Sequence, residues 1–130
     1  MRVILAQKDP ALALRFWVER LGFRHEAAAP TSGAGATEWL LRRGEACVRL
    51  VAEASLEKTT PLGRRLGKMA GSGVMVEIPL AAGERIEDLF VRLEQQGVDI
   101  IEPLGAWRPG ERSFTVADPS GYLVRLWIAA

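Results

Sequence analysis

One short phrase occurs twice in this chain, and its recurrence limits the folds open to it. Val48-Arg49-Leu50 returns as Val124-Arg125-Leu126, a displacement of 76 positions (48 to 124). Gly22 and Gly97, 75 apart, each close a helix-like segment, and Gly44 and Gly121, 77 apart, each sit in the turn before the phrase. A three-letter match alone carries little weight. Three landmarks in the same order at nearly the same displacement indicate internal duplication. Each copy would be a sheet with a helix on one face, leaving its other apolar face uncovered. Pairing two copies, within one chain or between two, would create a shared concave surface.

The elements read in the same order in each copy. Arg2 to Ala6 predicts a strand. Asp9 is a candidate helix cap with Pro10 at the first helical position, where a missing N–H costs nothing. Leu12, Phe16 and Leu21 follow at helical spacing up to Gly22. Phe23 to Glu26 predicts a strand and Pro30 to Ala36 a loop. Glu38 to Arg42 and Ala46 to Ala52 predict strands joined by a turn at Arg43-Gly44-Glu45. A polar connection runs from Glu53 to Ser72. Then Gly73 to Pro79 predicts a strand, Ile86 to Gln96 an amphipathic helix ended by Gly97, and Val98 to Ile101 a strand. Glu102 to Arg112 reads as a Pro/Gly loop. Ser113 to Ala117 and Leu123 to Ile128 predict a hairpin turning at Asp118-Pro119-Ser120-Gly121. Residues 1–130 thus read as one domain: repeat 1 (1–57), a connection (58–72) and repeat 2 (73–130).

Composition excludes several classes of partner. The net charge of +1 gives no electrostatic case for nucleic acid or an anionic membrane surface. The longest apolar stretches fall far short of the ~20 residues that span a bilayer, and Met1 to Ala6 is too short for a signal peptide. The single cysteine, Cys47, excludes an internal disulfide. A cytoplasmic globular protein is the expectation.

Two stretches carry a family resemblance. Asp9-Pro10 through Phe16-Trp17-Val18-Glu19-Arg20-Leu21-Gly22-Phe23 resembles the first-helix signature of the vicinal-oxygen-chelate superfamily, which includes glyoxalases, dioxygenases and bleomycin-resistance proteins. Ser113 through Trp127, with its Asp-Pro-x-Gly turn, resembles that superfamily's closing hairpin and is the more specific of the two. Together with the repeat, the resemblance spans nearly the whole chain. It implies an α+β fold of two βαβββ repeats, forming cup-shaped mixed sheets with helices on the outer face. It also implies a divalent metal, bound by His, Gln or Glu on the first and last strands of each half.

The match departs from the family at those positions. The ligand position on the first strand falls on Arg2, and those on the last strands fall on Arg49 and Arg125. The first strand of the second half offers Gly73, Val74, Met75 and Glu77. Arginine has five donors, no acceptor and a permanent charge, so it repels a cation, and Glu77 alone cannot hold a metal. The resemblance is therefore closest to the metal-free bleomycin-resistance-like branch, whose members sequester a drug in a cleft of a homodimer. Those members are typically acidic, and this chain is not. No metal and no cofactor is expected.

If strand alternation holds, Arg49 and Arg125 face the cups and Val48, Leu50, Val124 and Leu126 face the helices. A buried guanidinium needs a partner. One reading is a ligand carboxylate, phosphate or sulfate; the other is an internal ion pair, with Glu77, Glu38 or Glu53 as mate. Trp17 reads as core. Trp39, and Trp107 in the Pro/Gly loop, fall where the family lines its cup, and flat indoles suit planar aromatic ligands. Trp127 shares the face of Arg125, and Cys47 shares that of Arg49. The lone His25 has no partner pattern for catalysis. No Ser/His/Asp set, phosphate-cradling glycine loop or zinc spacing is present. The candidate ligand-binding set is Arg2, Trp39, Cys47, Arg49, Met75, Glu77, Trp107, Phe114 and Arg125, with no catalytic and no metal residues. The expected function is a metal-free, antibiotic-resistance-like binder of a small aromatic or anionic molecule, acting as a homodimer. The alternatives are a metal-independent lyase or isomerase using Glu77 or His25 as base, and a non-enzymatic interaction module.

Overall fold

The computed structural model describes residues 2–26, 37–56, 61–62 and 73–130. It divides into two compact units, Met1–Ala70 and Gly71–Ala130. The first contains β1 (Val3–Gln7), α1 (Pro10–Leu14, continued by a π-helical turn over Arg15–Arg20), β2 (Arg24–His25), β3 (Glu38–Arg43) and β4 (Ala46–Ala52). The second contains β5 (Met75–Pro79), α2 (Ile86–Gln95), β6 (Asp99–Arg108), β7 (Glu111–Ala117) and β8 (Leu123–Ala129). The sheets run β1-β4-β3-β2 and β5-β8-β7-β6, with the first pair parallel and the others antiparallel in each. The duplication expected from the recurring phrase is therefore present in the strand order, and the phrase occupies the inner strands β4 and β8.

Local chemistry explains the helix ends. The Asp9 carboxylate accepts a hydrogen bond from the Leu12 amide at 3.2 Å, and Pro10 begins α1. At the far end, Gly22 has φ +79° and the Phe23 amide donates back to the Trp17 carbonyl at 3.0 Å. In the second unit Gly97 has φ +76° and the Val98 amide donates to the Leu93 carbonyl at 3.0 Å. Both glycines supply the left-handed residue that reverses the chain after a helix. The closing bond spans six residues in the first unit and five in the second. The extra residue is taken up by the π turn, where the Leu21 amide bonds to the Phe16 carbonyl.

Each helix covers one face of its own sheet. In the first unit Ala13, Trp17, Leu21 and Phe23 are buried together with Leu5, Leu41, Val48 and Leu50. Trp17 meets Phe16 and Phe23 edge-on, with centroids 5.5 and 5.2 Å apart. In the second, Ile86, Leu89 and Leu93 of α2 are buried with Val76, Ile78, Val116, Val124 and Leu126, and Phe90 meets Phe114 edge-on at 5.2 Å.

One expectation needs correction. Residues Glu102 to Arg112 do not form a loop: β6 continues through Pro103 and Gly105 to Arg108 before a short turn. It is an edge strand, where a residue without an N–H is tolerated, and its pairing with β7 shifts register three times. The loop expected at Pro30 to Ala36 lies outside the described residues, as does most of the Glu53 to Ser72 connection, apart from a 3-10 turn at Glu53–Ser55. Among the described residues no helix is long and apolar enough to cross a membrane.

Candidate functional site

Residues paired across a ladder share a face of the sheet, so the strand registers assign each candidate to the helix side or the open side. In the first unit Ile4, Leu40 and Arg49 are mutual neighbours on the open face, flanked by the Arg42–Cys47 and Glu38–Val51 pairs. Cys47 is 8% exposed. Arg49 is half-buried, and it makes no ion pair or hydrogen bond with its side chain among the described residues. Arg2 is exposed just before β1. Trp39 departs from the expectation. It pairs with Leu50 and is followed two residues later by the Leu41–Val48 pair, which places it on the helix side, away from Arg49.

The second unit treats the equivalent arginine differently. Arg125 is 4% exposed; its Nη1 donates to Glu77 Oε2 at 3.2 Å and its Nη2 to Glu111 Oε2 at 2.6 Å. Arg108 Nη1 lies 3.9 Å from the other oxygen of Glu77. The register explains the pairing, since Glu77 is directly opposite Arg125 on β5. Of the two readings open for Arg125, the internal ion pair is the one formed. Glu77 was a named mate. Glu111 was missed because it fell in the stretch read as a loop.

Around this cluster, Thr115 Oγ1 donates to Glu102 Oε1 at 3.3 Å, and the buried Ser113 hydroxyl has no hydrogen-bond partner among the described residues. Trp107 is 55% exposed on β6, not in a loop. Its indole lies across Gly105, where an added Cβ would sit 3.0 Å from the ring, and its Nε1 donates to the Pro103 carbonyl at 2.9 Å. Glycine is thus the residue that lets the indole lie flat on the strand. Met75 is exposed on the same face as Glu77. Phe114 is 0% exposed and points the other way, into the contact with Phe90, so it is a core residue and the structure separates it from Arg125.

The registers also align the two halves. Ile4 faces Arg49 as Glu77 faces Arg125, so Arg2 corresponds to Met75. The metal implied by the family does not fit these positions. They carry Arg2, Ile4, Arg49, Met75, Glu77 and Arg125, and the one carboxylate is committed to guanidinium groups. Among the described residues no group of three or more His, Cys, Asp or Glu stands together to hold a metal ion.

Two four-stranded mixed sheets of identical strand order, each with a helix on one face, define the two-repeat α+β class of the glyoxalase fold. The family model for the Glyoxalase/Bleomycin resistance protein/Dioxygenase superfamily matches residues 2–126, and the chain belongs to that superfamily. Among solved structures it is similar to TioX from Micromonospora sp. ML1, with 25% identity over 100% of this chain and 95% of that one at a TM-score of 0.72. It is also similar in fold to the hypothetical protein SA1046 from S. aureus, with 15% identity over 99% and 92% of the two chains and a TM-score of 0.76. A glyoxalase/bleomycin resistance protein/dioxygenase from Nocardioides shares 17% identity over 99% and 82%, with a TM-score of 0.73. No curated protein matches the sequence significantly.

Proposed function

We propose that the protein is a small-molecule-binding member of its superfamily that works without a metal, of the bleomycin-resistance-like kind, and that the open face around Arg49 seats the anionic group of an aromatic ligand. The observation that carries this reading is the state of Arg49. It is a half-buried guanidinium that shares its strand face with Ile4, Leu40, Cys47 and Val51, with Arg42 and Glu38 at the two ends of that face, and it makes no ion pair among the described residues. A partly desolvated charge in that setting gains from a bidentate oxyanion. Apolar neighbours with one convergent polar group are what small organic ligands meet in most binding sites. Arg2 and the exposed indole of Trp107 are further candidates for contact. Trp39 and Phe114 are withdrawn from the set by their faces.

The test is a thermal-shift screen of the full chain, with and without EDTA, against divalent metals, bleomycin-type glycopeptides and planar aromatic carboxylates or sulfonates. A ligand that binds only the native state raises the melting temperature by mass action. The reading requires stabilisation by an anionic aromatic compound, indifference to EDTA, and loss of at least about tenfold in affinity in Arg49→Ala, the scale of one charge-assisted hydrogen bond. Stabilisation by a divalent metal that EDTA reverses would overturn it. A homodimer is part of this reading, because each four-stranded sheet ends in edge strands with unpaired ladder groups; sedimentation at micromolar concentration tests that part separately.

A further inference from the structure

The open face of the second unit holds a polar group that its own fold does not use. Ser113 on β7 is 1% exposed, and its hydroxyl has no hydrogen-bond partner among the described residues. A buried hydroxyl left unmet costs stability. The ladder sets Ser113 between Gly105 of β6 and Trp127 of β8, and its side chain shares the face of Thr115 and Arg125.

The indole of Trp107 fills the room beside it. The ring passes 3.0 Å from where a Cβ on Gly105 would stand, and that Cβ would neighbour Ser113 across the ladder. The indole cannot satisfy the hydroxyl, because its one polar group is a donor already given to the Pro103 carbonyl at 2.9 Å. That bond stays within β6, and Trp107 is 55% exposed, so little fastens the ring in place. The strand is irregular on both sides of Gly105, where three residue steps answer two on β7. Bulges of this kind re-aim side chains and are frequent beside active sites.

We infer that Trp107 is a movable cover over a binding slot, and that the slot takes an uncharged planar heteroaromatic ring whose acceptor atom receives the Ser113 hydroxyl. Such a ring replaces the indole over the bare backbone of Gly105 and meets the hydroxyl that the indole leaves unmet. An anion is disfavoured, because Glu77, Glu102 and Glu111 outnumber Arg108 and Arg125 on this face. The slot does not rest on the reading of Arg49, which concerns the other unit and an anionic group.

The probe is isoquinoline at mildly alkaline pH, where its ring nitrogen is unprotonated. Naphthalene, of the same shape without the acceptor, is the control. Both are titrated into the isotope-labelled full chain while the indole N–H resonance of Trp107 is followed by NMR, assigned by its absence from Trp107→Phe. The expected result is saturable binding of isoquinoline that shifts this resonance as the bond to Pro103 breaks. Naphthalene should bind several-fold more weakly, and Ser113→Ala should lose several-fold to about tenfold in isoquinoline affinity. Trp107→Ala should bind isoquinoline several-fold tighter than the parent, because no cover has to be displaced. Free Ser113→Ala should melt at or above the parent temperature, since it loses a hydroxyl that has no partner. Arg49→Ala should bind isoquinoline as the parent does, which separates failure of this slot from failure of the Arg49 face. In that background naphthoate should leave the Trp107 resonance in place. No isoquinoline binding by the parent, an unmoved Trp107 resonance at saturation, or equal affinity in Ser113→Ala would each overturn the assignment. So would weaker binding by Trp107→Ala, a marked fall in the melting temperature of Ser113→Ala, or naphthoate displacing the indole in Arg49→Ala.

Discussion

Arg49 and Arg125 occupy the same place in two copies of one design, and the protein treats them oppositely. Each is the middle residue of a Val-Arg-Leu phrase on an inner strand, on the face its helix leaves open. Arg125 is buried and held by two carboxylates. Arg49 is half-buried with no such partner among the described residues. The difference traces to one ladder position, where β5 places Glu77 opposite Arg125 and β1 places Ile4 opposite Arg49. The same guanidinium stands in both copies, and its ladder neighbours differ. In the second unit the arginine is already satisfied and serves the fold. In the first it makes no ion pair among the described residues, and the proposed function gives it to a ligand.

The largest effect that tests this contrast comes from stripping Arg125 of its partners. Glu77→Ala combined with Glu111→Ala leaves a buried guanidinium uncompensated and should cost about 3–5 kcal/mol in chemical denaturation. Adding Arg125→Met should recover most of that loss, since a buried ion pair is often no more stable than an apolar replacement. If the double variant stays within about 1 kcal/mol of the parent, Arg125 does not depend on these carboxylates and the two arginines are less different than their surroundings imply.

A smaller effect on stability, with a sharp effect on binding, is expected from transplanting the second unit's solution into the first. Ile4→Glu puts a carboxylate opposite Arg49, as Glu77 stands opposite Arg125. Because Ile4 is exposed, stability should change by no more than about 1 kcal/mol. Stabilisation by anionic aromatic compounds should disappear, because the guanidinium is now paired. Retained stabilisation would mean that Arg49 is not the seat of the ligand.

How far the sequence revealed this depends on register. The duplication was legible because its landmarks are letters: two glycines per copy and a shared tripeptide. The faces of Arg49 and Arg125 followed from alternation within one strand. Trp39 did not, because its face depends on pairing across the hairpin. The turn is two residues, Gly44-Glu45, with Arg43 opposite Ala46, and that register sets Trp39 opposite Leu50. A slip of one residue would have put it beside Arg49. Pro103 and Gly105 hid β6, and with it the setting of Glu111 and Trp107, because both residues normally mark loops and are tolerated here by an edge strand with irregular register.

The smallest effect concerns how each unit fastens its helix. In the second, Arg112 on β7 reaches Glu87 in the first turn of α2. In the first, Arg43 on β3 bonds the Leu21 carbonyl just past the helix, a bond with no carboxylate to titrate. The Glu87 carboxyl is held below the usual glutamate range, first by a backbone hydrogen bond at its own position in α2 and then by Arg112. A carboxyl whose folded value is depressed stabilises the fold fully above its unfolded value, about 4.3, and loses that contribution as pH falls through the lower folded value. Glu87→Gln should therefore be slightly less stable than the parent near neutral pH, with the gap closing on acidification below about pH 4. The bond from Arg43 to the Leu21 carbonyl itself carries no such dependence, because that acceptor is neutral. Denaturation curves of Glu87→Gln and the parent between neutral pH and about pH 3 decide the matter. A Glu87→Gln gap that persists at the acid end would mean that the fastening of α2 does not depend on that charge, and the two units would then hold their helices in the same way.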